Sequence, residues 1–285
     1  MHEAWLPQLR CPVTGRGYDL DPTRATPGEI TEGFLVAREG REVRPILAGV
    51  ALLPRDLPAH HKAHGEVYER MPVADSRMAR FVLGRNGHRL HDRVPFDEVI
   101  ARYGDLVPSG TWPDPPEPAP EDAQLAALLA ELDGSWKRAL DVGCGVGRGV
   151  FVLLEHAERV LGVDRSVARV RRARNVAVTR ADFYLPAPPD LDLKQVPIEL
   201  SRLARRGADF AVADPDALPL ADGCVDLIVL RRRDGAGVLP GPSLHRALRV
   251  LAADGLLVFE GEGDRPWPGW EHAGRVGRFG AWRRT

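Results

Sequence analysis

The chain has 285 residues, of which 44% are hydrophobic and 28% are charged, and its formal net charge at pH 7 is -1. A chain of this length can bury a large core, and its balanced charge gives no broad basic surface for nucleic acids or membranes. The three cysteines are far apart in sequence, which argues against a disulfide framework and predicts a cytoplasmic protein. No apolar run reaches the length of about 18 residues that indicates a membrane-spanning helix.

Residues 1–58 have the pattern of a small β-rich domain. Short apolar runs such as GFLVARE are separated by glycine and proline, which is typical of strands joined by turns. Residues 59–120 then favour a helical segment. It ends in the proline-rich stretch SGTWPDPPEPAPED, which predicts an extended linker.

The predicted helical segment is a candidate lid over a ligand pocket. Its residues 64–104 include Tyr68 as a candidate contact. His60 and His64 fall on one face of the predicted helix, and we expect exposed side chains rather than a metal site, because a third ligand is not evident.

From residue 121 the pattern becomes regular, because short apolar strands alternate with helices. The predicted strands are RALDVG, RVLGVD, DFAVAD, DLIVL and LLVFEG. Such alternation is typical of an α/β fold with a doubly wound, mostly parallel Rossmann-like sheet that helices cover on both faces. We therefore predict one large domain over residues 121–285, with ligands bound at the carboxyl ends of its strands.

Two stretches depart from this pattern. The interval between Asp164 and Asp214 is about twice as long as one helix and a turn require, and it predicts an insertion at about 180–207 that forms a hairpin or a loop and helix. The tail after the fifth strand is short, so we expect a truncated sheet edge in which GRVGRFGAWRR supplies one hairpin. A second subunit or a partner protein could cover that edge.

The loop after the first strand of this domain has four glycines at every second position: Gly143, Gly145, Gly147 and Gly149. A dinucleotide loop needs the spacing G-x-G-x-x-G, and in the two frames its third glycine falls on Arg148 or Val150. Asp141, just before the loop, would repel a pyrophosphate but suits a ligand with an ammonium group and a sulfonium. The pattern therefore excludes a dinucleotide and fits S-adenosyl-L-methionine (SAM).

Two further carboxylates end the next predicted strands. Asp164 ends the second strand, where it can accept hydrogen bonds from both hydroxyls of a ribose. Asp214 ends the third strand, where it can accept from the amino group of an adenine. Together with Asp141 they predict a three-point site, and the alternative is that the glycines serve only close packing of helix on strand.

Four segments in this order resemble the class I SAM-dependent methyltransferases. ALDVGCGVG is similar to their first motif, VLGVD to their second, ADPDALPLADGCVDLIVL to their adenine segment and fourth strand, and RALRVLAADGLLVFEG to the next helix and strand. The resemblance implies transfer of the SAM methyl group with release of S-adenosyl-L-homocysteine. It implies these cofactor-binding residues: Asp141, Gly143, Cys144, Gly145, Gly147, Asp164, Arg165, Asp214, Pro215 and Leu230.

The sequence marks the methyl acceptor less clearly. The run RRRD follows the fourth strand, and Arg231 and Arg232 could orient an anionic acceptor there. The alternative is a solvated loop in which one arginine pairs locally. No residue identifies a general base, and Cys144 has no base nearby in sequence that would make it a catalytic thiol.

Other charged residues receive a structural interpretation. Asp226 begins a predicted strand, and we expect it to act as a turn or cap residue. The arginines of RVRRARN lie on one predicted helix, and we expect them to form a solvated face.

The front segment LPQLRCPVTGRGYDL and the strands after it resemble the small zinc-ribbon-like domain that activates certain tRNA and protein methyltransferases. Cys11 and Pro12 match the start of its C-P-x-C pattern, but Thr14 stands where the second cysteine belongs. A structural zinc needs four ligands of this kind. We therefore expect a degenerate domain without metal.

These observations predict a methyltransferase that acts on a small-molecule acceptor. A different class of function is a SAM-binding pseudoenzyme or scaffold that supports a partner protein, which the short tail and the incomplete zinc pattern permit. RNA or protein methylation is a weaker alternative, because the charge is near neutral and no Asn-Pro-Pro-Tyr-like motif follows DLIVL.

Overall fold

A computed structural model describes residues 1–69, 96–111, 119–179, 183–186, 195–231, 241–261 and 269–284 of the chain. Its strands are β1 (Tyr18–Thr26), β2 (Glu29–Ala37), β3 (Val43–Leu47), β4 (Val50–Leu52), β5 (Trp136–Val142), β6 (Ala157–Asp164), β7 (Phe183–Pro186), β8 (Gln195–Ile198), β9 (Ala208–Val212), β10 (Val225–Leu230), β11 (Leu251–Glu260), β12 (Trp270–Val276) and β13 (Phe279–Arg284). Its α-helices are α1 (Leu57–Glu69), α2 (Phe96–Tyr103), α3 (Pro120–Leu132), α4 (Arg148–Leu153), α5 (Val167–Val178) and α6 (Gly241–Arg249). Over the described residues, none of these helices has the length and apolar character needed to cross a bilayer.

Most of the strands form one sheet, in the order β1-β2-β3-β4-β9-β6-β5-β10-β11-β13-β12. The pairs from β4 to β11 are parallel, and the pairs outside them are antiparallel. This arrangement confirms the predicted α/β fold with a mostly parallel, Rossmann-like sheet. The chain passes from β5 to β6 on one side and later returns to β10 on the other, which makes the end of β5 the switch point of the sheet.

The strands divide their side chains between two apolar cores. In β5, Ala139 belongs to the core that α3, α4 and α5 cover, together with Phe151 of α4. The next residue, Leu140, belongs to the opposite core, together with Trp5 of the front segment and Leu248 of α6. Because successive side chains of a strand point to opposite faces and both faces are covered, the buried part of these strands is mainly apolar on both faces.

The front strands continue the central sheet. Ala51 and Leu52 of β4 pair in parallel with Ala211 and Val212 of β9, and β3, β2 and β1 extend the sheet outward from there. The front segment is therefore hydrogen-bonded to the predicted large domain. The domain boundaries at residues 58 and 120 stay a prediction.

The two stretches that depart from the regular pattern of strands and helices, the insertion at about 180–207 and the C-terminal tail, each contain a hairpin. Strands β7 and β8 pair as an antiparallel hairpin within the predicted insertion. Strands β12 and β13 form the hairpin predicted from GRVGRFGAWRR, and β13 also pairs antiparallel with β11. The expected truncation of the sheet after β11 is therefore wrong, because these strands complete that side of the sheet.

Two polar residues are more buried than predicted. His60 is 8% exposed, and its Nε2 lies 2.8 Å from the carbonyl oxygen of Arg165, so the prediction of an exposed side chain is wrong for this residue. The side chain of His64 lies outside the described part. Arg174 of α5 is also 8% exposed and pairs with Glu29 of β2, so the arginines of α5 do not all form a solvated face.

Candidate functional site

A glycine loop connects β5 to α4 at the carboxyl edge of the sheet. Gly143, Gly145 and Gly147 have φ angles of 80°, 55° and 89°, which residues with a side chain rarely adopt. At Gly147, a Cβ atom would also lie 2.6 Å from the Cβ of Ala173 in α5. The N–H of Gly143 donates to the carbonyl oxygen of Val163 in β6 at 2.8 Å, so the loop begins folded over the end of the neighbouring strand.

Asp164, the last residue of β6, fixes the same loop from the side. Its Oδ2 accepts a hydrogen bond from the N–H of Gly145 at 3.1 Å. Its Oδ1 accepts from the N–H of Ser166 at 2.8 Å, and the Ser166 side chain in turn caps α5 by accepting from the N–H of Arg169. The predicted carboxylate therefore lies beside the glycine loop and helps to shape it.

Helix α2, within the predicted lid segment, packs against the loop. The hydroxyl of Tyr103 donates to the carbonyl oxygen of Val146 at 2.7 Å. Glu98 forms an ion pair of 2.9 Å with Arg169 of α5, and a Cβ on Gly145 would lie 3.5 Å from Oε1 of Glu98. These contacts were not predicted from the sequence, although the helical spacing of the apolar residues in FDEVIARY indicates a helix with a buried face.

Asp214 follows β9 and is held from two directions. Its Oδ1 forms an ion pair with Nε of Arg165 at 2.9 Å, and its Oδ2 accepts a hydrogen bond from the backbone N–H of Arg55 at 2.9 Å. Arg55 lies just after β4, so the front segment helps to position this carboxylate. The role of Arg55 could not be predicted from the sequence, because the pairing of β4 with β9 is a long-range contact.

Arg231, the residue after β10, lies in a buried cluster of charges. Its Nε donates to Oδ1 of Asp141 at 2.9 Å and its Nη2 to Oδ1 of Asp122 in α3 at 3.1 Å. The three residues are 7%, 0% and 7% exposed, respectively. Buried charges are stable only when they are paired and hydrogen-bonded. The alternative interpretation expected one arginine of the RRRD run to pair locally in a solvated loop; Arg231 does pair, but it is buried and its partners are distant in sequence.

Burial and the neighbouring charges have opposing effects on the pKa values of Asp141 and Arg231. Burial raises the pKa of Asp141 above its usual value, and the adjacent guanidinium of Arg231 opposes that rise. Burial alone would lower the pKa of Arg231, but the carboxylates of Asp141 and Asp122 raise it above its usual value. The guanidinium thus stays charged and favours the ionised form of Asp141.

The remaining predicted residues have varied positions. Cys144 is buried, and burial, together with the carboxylates of Asp164 and Asp141, raises the pKa of its thiol well above the usual value, as expected for a residue that is not a nucleophile. Pro215 begins a short 3-10 turn after β9, and the side chain of Leu230 is fully buried in a core. The side chain of Tyr68 and the whole of Arg232 lie outside the described residues.

Asp226 has a structural role, as predicted, but it links two strands and is not the turn or cap residue that we expected. Its Oδ2 accepts hydrogen bonds from the N–H groups of Lys137 and Arg138 at 3.0 and 2.9 Å, and so ties the start of β10 to β5.

In the described ranges, no group of three or more His, Cys, Asp or Glu side chains could hold a metal ion.

A comparison with protein families identifies the central part of the chain. Residues 140–259 match the family model of a methyltransferase domain. The matched range begins in β5, just before the glycine loop, and ends in β11. It therefore includes the loop, Asp164, Asp214 and Arg231. No curated protein sequence matches the chain.

Solved structures give remote similarities. The YcgJ protein of Bacillus subtilis is 19% identical over 48% of this chain and 49% of its own, with a TM-score of 0.37. A chain in a complex of the Haloferax volcanii Trm112 methyltransferase activator is 20% identical over 66% of this chain and 61% of its own, with a TM-score of 0.36. A SAM-dependent methyltransferase of Aquifex aeolicus is 18% identical over 56% of this chain and 92% of its own, with a TM-score of 0.38. The chain thus spans 49% and 61% of the first two structures.

Proposed function

We propose that this SAM-dependent methyltransferase acts on a small-molecule acceptor and binds SAM across the carboxyl ends of β5, β6 and β9. The observation that carries this proposal is the order of three carboxylates. Asp141 is the second-last residue of β5, Asp164 is the last residue of β6 and Asp214 is the second residue after β9, and these three strands are neighbours in the sheet. SAM has an amino-acid group, a ribose and an adenine in a row, so each carboxylate can receive the donors of one part.

The glycine loop and its neighbours fit such a ligand. Gly143 and Gly145 have no side chains, so the cofactor can approach the backbone there. A carboxylate has about four lone-pair positions, and Asp164 uses one on each oxygen for backbone N–H groups, which leaves acceptors for the ribose hydroxyls. Asp141 retains a buried oxygen, Oδ2, without a hydrogen-bond partner among the described residues, which suits the ammonium group.

At the other end of the site, Asp214 would face the adenine. Its carboxylate is fixed by Arg55 and Arg165, and the remaining lone pairs can accept from the exocyclic amino group. Pro215, which begins the 3-10 turn after β9, and Leu230, the last residue of β10, would border the adenine through their backbone. Gly147 and Cys144 complete the proposed set by shaping the loop.

The chemistry of such a site depends mainly on position. When bound, SAM would supply a methyl group on a positively charged sulfur. A nucleophilic acceptor would attack the methyl carbon in line with the carbon–sulfur bond, and S-adenosyl-L-homocysteine would leave. The chain itself holds the reactants in place and excludes water. Tyr68 and Arg232 remain our candidates for contact with the acceptor. The net charge of -1 favours a small molecule over a nucleic acid, since it provides no broad basic surface.

Calorimetry with the purified full chain tests the cofactor site. We expect SAM and S-adenosyl-L-homocysteine to bind, and Asp164→Ala to weaken both by about tenfold or more, because the ribose loses charged acceptors. Asp254→Ala removes an exposed carboxylate of β11 and serves as the matched control, with unchanged affinity. Absence of binding, or unaltered binding by Asp164→Ala, would overturn the proposal.

A second experiment tests the enzymatic part of the proposal. The full chain is incubated with SAM and fractions of small molecules from a cell extract, and S-adenosyl-L-homocysteine is measured. We expect product that depends on a fraction and is lost in Asp164→Ala. If no fraction yields product while SAM binds tightly, the chain is a SAM-binding scaffold instead.

A further inference from the structure

The guanidinium of Arg231 is confined by contacts on several sides. Two of its nitrogens donate to Asp141 and Asp122 at 2.9 and 3.1 Å. Its Cζ lies 5.8 Å from the centre of the Phe279 ring, which adds a cation–π contact. At Gly149, the second residue of α4, a Cβ would overlap Nη2 of Arg231. The absence of a side chain there leaves the space that the guanidinium occupies.

Asp141 is bound by this arrangement through only one of its oxygens. Oδ1 accepts from Arg231, whereas Oδ2 is buried and has no hydrogen-bond partner in the described part of the chain. A buried acceptor without a donor is costly, so this oxygen favours a ligand that brings a donor. Asp141 lies in β5 directly before the glycine loop, where the proposed cofactor presents its ammonium group.

We propose that Arg231 is a positioning residue for the amino-acid end of SAM: it orients the Asp141 carboxylate so that Oδ2 receives the ammonium group. Because two of its nitrogens donate to buried carboxylates, we assign Arg231 to this positioning role rather than to orientation of the acceptor. This inference rests on the proposed function, since it assumes that SAM binds at the glycine loop.

Charged groups from several elements surround Asp141. Arg231 lies at the end of β10, Asp122 comes from α3 and Arg102 from α2, and Arg102 forms an ion pair with Asp122 at 3.0 Å. Burial raises the pKa of Asp141, the two arginines lower it and Asp122 raises it. Cys144, in the glycine loop, stays a neutral thiol near pH 7 because its own pKa is raised well above the usual value.

These charged groups determine how the affinity for SAM should depend on pH when Arg231 is replaced by a neutral residue. Without the cation of Arg231, burial and Asp122 both favour the protonated form of Asp141. A protonated carboxyl binds an ammonium group poorly, so the affinity of such a variant for SAM increases as the pH rises. In the wild-type chain the guanidinium of Arg231 opposes this rise in the pKa of Asp141, so we expect the affinity of the wild-type chain to depend less on pH. Glu260, at the end of β11, raises the pKa of Arg231 and helps to keep it charged.

The experiment compares two ligands that differ in the amino-acid group. S-adenosyl-L-homocysteine contains it, whereas 5′-methylthioadenosine keeps the adenosine and the thioether but lacks it. We expect Arg231→Met to weaken binding of S-adenosyl-L-homocysteine by about tenfold or more near neutral pH, and to change binding of 5′-methylthioadenosine by less than about twofold. Equal loss for both ligands, or no loss for either, would overturn the proposal.

Two further variants connect the effect to Asp141. In Asp141→Asn, the added substitution Arg231→Met should cause no further loss of affinity for S-adenosyl-L-homocysteine, because the group that Arg231 positions is already neutral. Arg231→Lys keeps the charge but cannot make both planar contacts. It should bind with intermediate affinity and little pH dependence between about pH 6 and pH 9. Additive losses in the double variant would contradict a positioning role.

Arg231→Lys also gives a test if Arg231→Met does not fold, because its intermediate affinity can then be compared for the two ligands. Failure of the proposed function has a separate signature. If the wild-type chain binds neither SAM nor S-adenosyl-L-homocysteine, the cofactor site itself is wrong. If the wild-type chain binds and Asp164→Ala weakens binding while Arg231→Met does not, only the role of Arg231 is wrong.

Discussion

The carboxylate of Asp164 accepts a hydrogen bond from the backbone N–H of Gly145 at 3.1 Å, and this contact joins the end of β6 to the loop after β5. The same carboxylate accepts from Ser166 at the start of α5. One side chain therefore holds two backbone segments that border the proposed cofactor site. We therefore expect Asp164, which is proposed to bind ribose, to contribute to stability as well.

Asp164→Ala is expected to lower the free energy of unfolding by about 1–3 kcal/mol, because two backbone N–H groups lose a charged acceptor. Urea denaturation at neutral pH measures this change. Asp254→Ala, which alters an exposed residue, should leave the midpoint unchanged. Equal midpoints for Asp164→Ala and the wild-type chain would contradict the role of Asp164 in holding the loop.

Gly149→Ala is expected to destabilise the chain by about 3 kcal/mol, since the new Cβ would overlap Nη2 of Arg231 and lie 2.7 Å from Oδ2 of Asp141. Gly40→Ala provides a matched control, because a Cβ at this exposed glycine would meet its nearest atom at an ordinary 3.7 Å. Chemical denaturation of both variants checks the prediction. If Gly149→Ala lowers the free energy of unfolding no more than Gly40→Ala does, the Arg231 side chain lies elsewhere.

Tyr103→Phe removes the hydroxyl that donates to Val146 in the glycine loop. The carbonyl oxygen of Val146 then has no replacement donor from this side chain, and we expect stability to fall by about 1–2 kcal/mol. Affinity for S-adenosyl-L-homocysteine should also decrease, because α2 supports the loop. Unfolding curves and calorimetry test both effects, and wild-type values in both would contradict the contact between α2 and the loop.

The stability of the chain should decrease at alkaline pH, in part because of Cys224. Burial raises the pKa of this thiol from 9.0 to about 11. Its contribution to stability is therefore fully present below pH 9.0 and is lost as the pH rises towards 11. A shift of this size corresponds to roughly 3 kcal/mol. Thermal unfolding should show a shallower alkaline decrease in Cys224→Ala, and an identical slope would contradict the assignment.

The sequence is sufficient to predict the carboxylates that follow the strands. Asp141, Asp164 and Asp214 lie at positions that the strand pattern alone determines, because the carboxyl ends of parallel strands meet at one edge. The roles proposed for them as ligands stay predictions. The alternation of strands and helices likewise predicts the fold, since each strand between two helical layers must be apolar on both faces.

Contacts between distant parts of the chain could not be predicted in this way. Arg231 pairs with Asp122, a residue of α3 that precedes it by 109 positions, and within the run RRRD nothing in the local sequence distinguishes a buried arginine from a solvated one. Arg55 reaches Asp214 only because β4 pairs with β9. A strand pattern predicts that a strand exists, but it does not determine which edge the strand joins.

The most direct test of the central claim is an experimental structure of the full chain with S-adenosyl-L-homocysteine bound. We predict that the ammonium group lies within hydrogen-bond distance of Oδ2 of Asp141, that the ribose hydroxyls contact Asp164, and that the adenine lies beside Asp214. A ligand bound away from the glycine loop, or one whose ribose has no contact with Asp164, would contradict the three-carboxylate site.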